Sequence, residues 1–179
     1  MVLHTTTHVE GEDVPRFTLP EPIKEALTLI ENETATAVVD GLEKISHATF
    51  NHPICKETAG AVGAVKSIVD AMTRNIADAS VQERGCHALR NVVFHCEPNQ
   101  QLVRDQGAIE AVFNAMKKHP ENEAVQAEGS WALVVFCSNH DDNIEAAKPS
   151  LGIILAAIQK HGSNSDIAGK GRFLQALLA

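Results

Sequence analysis

Histidine and cysteine side chains are the residues of this chain best suited to metal chemistry. The chain has nine histidines and four cysteines, and imidazole and thiolate groups are preferred zinc ligands. Polar residues at helix ends explain these sets, so we expect no metal site and no cofactor. A metal-binding protein stays open as an alternative function. The densest groups are His47/His52/Cys55, His87/His95/Cys96 and the evenly spaced set His52, Cys96 and His140.

Motifs for catalysis and for phosphate binding are missing from the sequence. Asp141–Glu145 begins like a calcium loop but lacks the glycine and the final glutamate that such a loop requires. Gly169-Lys170-Gly171 has no preceding strand, and no G-x-S-x-G motif occurs. We therefore expect that the protein is not an enzyme.

The charge and cysteine content indicate the compartment and the classes of partner. A net charge of −8 argues against nucleic-acid binding, which needs cations that face phosphates, and suits basic partners. No apolar run approaches the roughly 20 residues that span a membrane, and the N-terminus has no secretory signal. The four cysteines form no C-x-x-C pair, so we expect a reducing, cytoplasmic setting without disulfides.

A pattern that recurs about every 44 residues organises the chain. Val81–Cys96 reads VQERGCHALRNVVFHC, with apolar side chains at helical spacing. Residues 125–133 repeat the pattern, residues 37–42 are a less similar copy, and residues 167–174 are a partial one. A period of this length with three helices in each unit is typical of a helical solenoid, whose stacked units bury a shared core.

Three glycines share one position of this pattern. Gly41, Gly85 and Gly129 are spaced by 44 residues in the middle of predicted long helices. A glycine there costs about 1 kcal/mol relative to alanine. We therefore expect another backbone to pass close to each of them.

The units give a division of the chain. Residues 1–20 are polar and read as a disordered tail, or as an extended arm that lies on this protein or a neighbour through Phe17 and Leu19. The predicted solenoid covers residues 21–179. It consists of a lid helix (21–32), three repeats (34–79, 80–123 and 124–165) and a partial repeat (166–179).

These repeats resemble armadillo repeats. The resemblance rests on VQERGCHALRN at 81–91, GAIEAV at 107–112 and VQAEGSWAL at 125–133. Periodicity alone leaves armadillo and HEAT repeats open, and the glycines with the short helix before GAI favour armadillo. The resemblance implies an all-α fold, a right-handed α-α superhelix of about three and a half repeats. It also implies a binding scaffold whose long helices line a groove for an extended peptide or a partner's helix.

The groove motif of importin-alpha-like proteins is split in this chain. In those relatives a WALxN motif supplies both Trp and Asn. Here Asn91 follows His87 rather than Trp, and Trp131 is followed by Val135 rather than Asn. Recognition of nuclear signals is therefore not expected, while a protein-binding groove remains the leading prediction.

Matching positions of the long helices form the candidate groove surface. Trp131 would be its anchor because Trp offers a large apolar face and one donor. Alternatively, Trp131 packs into its own solenoid, and the charges of the first row pair along that row. The three rows are Asp40, Arg84, Glu128 and Lys170; then Glu43, His87, Trp131 and Phe173; then His47, Asn91, Val135 and Leu177.

The C-terminal helix is a second candidate interface. Only one side of this helix can cover the third repeat, so the other side would leave apolar surface. The predicted end-docking residues are Leu174, Leu177 and Leu178. This surface would serve a homo-oligomer, or a structural subunit docked into a larger assembly with help from the N-terminal arm. A simple half-repeat cap is the alternative.

Overall fold

The computed structural model describes residues 19–179, which contain α-helices, one 3-10 turn and no strand. The all-α prediction is confirmed for this part of the chain. The predictions for residues 1–18, including the role of Phe17, lie outside it. The helices are α1 (Glu21–Ile30), α2 (Ala35–Thr49), α3 (Pro53–Ala61), α4 (Ala64–Arg74), α5 (Ala79–Val93), α6 (Glu97–Asp105), α7 (Ala108–Lys118), α8 (Glu123–Cys137), α9 (Asp141–Ala147), α10 (Leu151–His161) and α11 (Ser165–Leu178).

The helices pack in three rows that follow the chain. The long helices α2, α5, α8 and α11 each contact the next, and the same holds for α1, α4, α7 and α10. The short helices α3, α6 and α9 form the third row. Each long helix also packs against the helix of the second row that is nearest before it in sequence, so α11 contacts both α8 and α10. The apolar stripes of the helices join into one buried cluster.

The mid-helix glycines lie where neighbouring groups approach closely. A Cβ on Gly41 would lie 2.7 Å from Ile30 N and 2.8 Å from Ala26 O, which confirms the expected backbone approach. At Gly85 and Gly129 the expectation of a backbone is wrong, because the neighbouring group is a methionine side chain, Met72 and Met116 respectively. Gly171 holds the same place in α11, against Ile158. In the first unit the α1 backbone therefore occupies the space beside the glycine. In the later units a large side chain occupies the same space.

The joints between helices repeat as well. A non-glycine residue with positive φ follows each of the first three long helices: Asn51 (51°), His95 (55°) and Asn139 (64°). Gly63 (φ 88°) and Gly107 (φ 73°) precede α4 and α7, in the left-handed region that favours glycine. The third unit has no such glycine. It has the 3-10 turn Lys148–Ser150 there, where the sequence period shortens by two residues.

Side-chain hydrogen bonds to backbone carbonyls join consecutive units. Asn99 Nδ2 donates to Lys56 O at 2.8 Å and to Val92 O at 2.9 Å. Asn143 repeats this arrangement with the carbonyls of Gln100 and Phe136. Val92 O and Phe136 O lie in the last turns of α5 and α8, where the helix supplies no further N–H donor, so these amides satisfy buried carbonyls that the helix leaves open. Further bonds from later to earlier units are Arg74 Nη2 to Ile30 O, His119 Nε2 to Ile76 O, and His161 Nε2 to Pro120 O.

Candidate functional site

Most residues of the predicted groove surface, which form three rows of matching positions on the long helices, are at least partly exposed to solvent. Asp40, His47, Trp131 and Phe173 are exposed, and six others are partly exposed: Glu43, Arg84, His87, Glu128, Lys170 and Leu177. Asn91 and Val135 are buried, so the prediction is corrected at these two positions. Asn91 Nδ2 donates a hydrogen bond to Ser46 Oγ at 2.6 Å. Val135 belongs to the apolar cluster between the units.

Trp131 is the centre of the candidate site. Its side chain is 41% exposed, which contradicts the alternative that it packs into the interior. The guanidinium carbon of Arg90 lies 3.7 Å from the centroid of the indole ring, and Lys170 Nζ lies 4.3 Å from it. Both distances are within the range of cation–π attraction. Trp131 thus joins side chains of α5, α8 and α11 on one surface.

A cavity adjoins Trp131, between the ends of α5 and α8. It has a volume of about 400 Å³ and is lined by Trp131, Val134 and Phe94, among others. Phe94 is 43% exposed, so two aromatic side chains border one opening. Gln100 also lines the cavity; its Nε2 donates to Val135 O, while its Oε1 has no hydrogen-bond partner. The cavity suits a ligand that places an apolar side chain against the two rings and a hydrogen-bond donor near Gln100 Oε1.

Arg90 is the least expected member of the site. It is only 8% exposed, and Nη2 lies 3.5 Å from Glu128 Oε2. Its Nε and Nη1 are buried without a hydrogen-bond partner. Burial lowers the pKa of Arg90 and raises that of Glu128, and the positive charges of Arg90 and Lys170 act against the rise at Glu128. The pair is therefore a buried charge cluster with unused donors.

The charges of the first predicted row do not pair along that row. Arg84 Nε lies 3.1 Å from Glu43 Oε1, in the second row. Lys170 pairs with Asp166 one turn away on its own helix. The closest ion pairs of these two charges therefore lie off the row, while Lys170 still acts on Glu128 within the row through its charge.

The predicted end-docking leucines are largely buried. Leu174 and Leu178 are 0% and 3% exposed, and only Leu177 is partly exposed. The reason is that α11 packs against two helices, α8 and α10, and so covers more of its surface than a single contact would. The prediction of an exposed end is corrected for these two leucines. The large apolar side chain that α11 exposes is Phe173, at 49%.

Sequence reasoning missed Arg90 and Phe94; the spacing contains a signal for Phe94, whereas it marks Arg90 only as a charged residue in an otherwise uncharged column. Arg90 shares its column of the repeat with Ser46 and Val134, so a charged residue stands among small or apolar ones. Phe94 is 44 residues after Phe50, and both are exposed. A recurrent exposed aromatic residue indicates a surface role more strongly than either position does alone.

The predicted His/Cys sets do not come together as a metal site. In the part of the chain that the structure describes, no group of three or more His, Cys, Asp or Glu side chains could hold a metal ion. His52 instead caps α3, where its Nδ1 accepts from the Cys55 N–H at 3.3 Å. All four cysteines are free. Burial raises the pKa of Cys86, and that of Cys137 to about 12, so both stay as thiols.

His87 lies on the same surface, one turn before Asn91. Asn91 Nδ2 is 3.3 Å from His87 Nε2. Since an amide NH₂ can only donate, the imidazole nitrogen must accept and must therefore be unprotonated. Burial, followed by the charges of Arg90, Arg84 and His47, lowers the pKa of His87 from 6.5 to about 4.

We expect the stability of the protein to fall in mild acid because of His87. The folded state disfavours the proton, so the contribution of His87 is complete above pH 6.5 and is lost as the pH falls toward about 4. Partial exposure reduces the effect to about 1 kcal/mol. Urea unfolding at about pH 7 and about pH 4.5 should show a smaller acid loss in His87→Gln than in the wild type. Equal losses in the two proteins would contradict this assignment.

No helix within residues 19–179 is long and apolar enough to cross a lipid bilayer. No family model matches the chain, and no solved structure matches it. An alignment over 79 residues, which covers 40% of this chain, is 35% identical to Protein aardvark of Dictyostelium discoideum. The match spans only 10% of that curated protein's length.

Proposed function

We propose that the chain is an armadillo-like, right-handed superhelix of about three and a half repeats that acts as a protein-binding module. The repeated long helices, the rows in which they pack and the recurrent joints between them support this fold. A cytoplasmic location belongs to the same proposal, and the four free cysteines support it.

The observation that carries the binding proposal is the exposed Trp131 beside an aromatic-lined cavity. The side chain is 41% exposed, although Trp is among the most costly residues to leave in water. Phe94 borders the same cavity of about 400 Å³. Interface hot spots combine such an aromatic anchor with an adjacent pocket. A segment of a partner protein that inserts an apolar side chain here would cover both rings.

We expect Trp131→Ala to abolish most of the affinity for a partner that is captured by the wild-type chain. Truncation of a central hot-spot Trp costs about 2 kcal/mol or more, which is roughly a 30-fold loss of affinity. Isothermal titration of the captured partner into both proteins measures the loss. Thermal melting should show a moderate loss of stability, because the indole also stacks on the guanidinium of Arg90, and the variant should remain folded at the temperature of the titration.

Leu155→Ala is the matched control for this test. Leu155 is also 41% exposed, but it lies on α10 and does not line the Trp131 cavity. We expect it to retain wild-type affinity. If Trp131→Ala bound the partner as tightly as Leu155→Ala does, the site would lie elsewhere on the molecule.

A further inference from the structure

We propose that the Trp131 site recognises an acidic side chain of the partner segment, and that Arg90 binds its carboxylate. This proposal rests on the proposed function, because it specifies the chemistry of the segment that would bind there. Its basis is Arg90, whose side chain is 10% exposed and whose guanidinium has two buried nitrogens without acceptors.

The present partner of Arg90 leaves most of its hydrogen-bonding capacity unused. Glu128 Oε2 lies 3.5 Å from Nη2 and forms no hydrogen bond, and the Nε and Nη1 of Arg90 have no partner either. A buried charged group with unpaired donors is destabilising, and a second carboxylate would remove that penalty. An amide or a hydroxyl would supply an acceptor without the charge, and a lysine would supply neither.

The indole of Trp131 controls access to these nitrogens. The guanidinium stacks on the ring at 3.7 Å, so the ring shields it from water. The cavity of about 400 Å³ on which Trp131 borders gives the indole room to turn aside. Lys170 Nζ, 4.3 Å from the ring centroid, adds a second positive charge at the same indole. An apolar neighbour of the acidic residue would contact the exposed ring of Phe94.

Trp131 itself reports on this event. The chain has one tryptophan and no tyrosine, so its ultraviolet-excited emission comes almost wholly from this site. Three capped peptides form the probe set: acetyl-Gly-Phe-X-Leu-Gly-amide with X as Glu, Gln or Lys. They share the flanking apolar residues and differ in one charge. We expect the Glu peptide to shift the emission and to bind roughly tenfold more tightly than the Gln peptide, with the Lys peptide weakest.

Substitutions then show which residue causes the preference for the Glu peptide over the Gln peptide. Arg90→Gln should reduce the preference for Glu over Gln to about twofold or less. Lys170→Met, at a less buried position, should reduce it partially and tests the same idea if Arg90→Gln fails to fold. Arg104→Gln is the matched control: this arginine pairs with Asp142 away from the Trp131 cavity, and the preference should be unchanged.

The outcomes separate the two proposals. Equal affinity for the Glu and Gln peptides would overturn the carboxylate proposal and leave protein binding at Trp131 standing. The tightest binding of the Lys peptide would overturn it in favour of a basic segment. If no peptide changed the emission, the carboxylate proposal would fail, while the captured partner's affinity for Trp131→Ala would still decide the proposed function.

Discussion

Gly41→Ala is expected to destabilise the protein by about 2 kcal/mol, although alanine is the better helix former. An added Cβ would lie 2.7 Å from Ile30 N and 2.8 Å from Ala26 O, and both atoms belong to the backbone of α1. A backbone cannot rotate away as a side chain can. Overpacking of this kind costs up to about 3 kcal/mol, of which helix propensity returns about 1. Urea unfolding followed by circular dichroism measures the difference.

Two other glycines serve as controls for Gly41. Gly169→Ala, in α11, meets no atom within 4 Å and should stabilise the protein by about 0.5–1 kcal/mol. Gly85→Ala meets the flexible side chain of Met72 and should fall between these extremes. If Gly41→Ala were no less stable than Gly169→Ala, α1 would not pack against α2 as described.

Gly60→Ala is expected to be the other severe substitution, through Asn99. A Cβ on Gly60 would overlap the Asn99 side-chain amide. Asn99 would have to turn away and would lose its bonds to the carbonyls of Lys56 and Val92. Val92 O would be left buried without a donor, at a cost of about 1–3 kcal/mol, and Lys56 O would lose its second donor, so we expect a total loss of about 2–3 kcal/mol in urea unfolding.

A double-mutant cycle tests this mechanism. Asn99→Ala alone breaks the same two hydrogen bonds and should cost a similar amount. In the Asn99→Ala variant the side-chain amide that a Cβ on Gly60 would displace is already absent. The double variant should therefore be about as stable as Asn99→Ala. The coupling energy is then about 2–3 kcal/mol. Additive losses would mean that Gly60 is required for another reason.

The helical content and order could be predicted from the sequence because they depend on local periodicity. The apolar spacing in Val81–Cys96 and its copies marks the long helices, and the structure has them as expected. The common position of Gly41, Gly85 and Gly129 also predicted close packing. The sequence could not predict which group packs against each glycine. A Met side chain and the backbone of α1 both leave no room for a Cβ, so both require glycine at that position.

The candidate site was predictable at Trp131 but not at Arg90. The position of Trp131 in the repeat placed it on the surface of a long helix, and it is exposed. Arg90 lies between Leu89 and Asn91 in a buried stretch, and sequence patterns give charged residues no reason to be there. Its burial depends on stacking against a residue of the next unit, Trp131. Contacts between units are tertiary and leave no period in the sequence.

The burial of Leu174 and Leu178 has a similar cause. From the sequence, α11 looks like an isolated last helix with one covered side. In the structure it belongs to the same packing unit as α10, while it also continues the row of α8. Two neighbours cover two sides of a helix, and the repeat boundaries drawn on the sequence separated α11 from α10.

The hydrogen bonds between units also have a direction along the chain. Asn99 donates back to Lys56 O, and His119 donates back to Ile76 O. Among the described residues the side chains of Lys56 and Gln100 donate forward instead. During synthesis the acceptor carbonyls leave the ribosome first and can bind water until the next unit arrives with its donors. For the bonds that run backward, each unit therefore folds against acceptors that are already in place, whereas the buried donors of Lys56 and Gln100 are satisfied only when the following unit arrives.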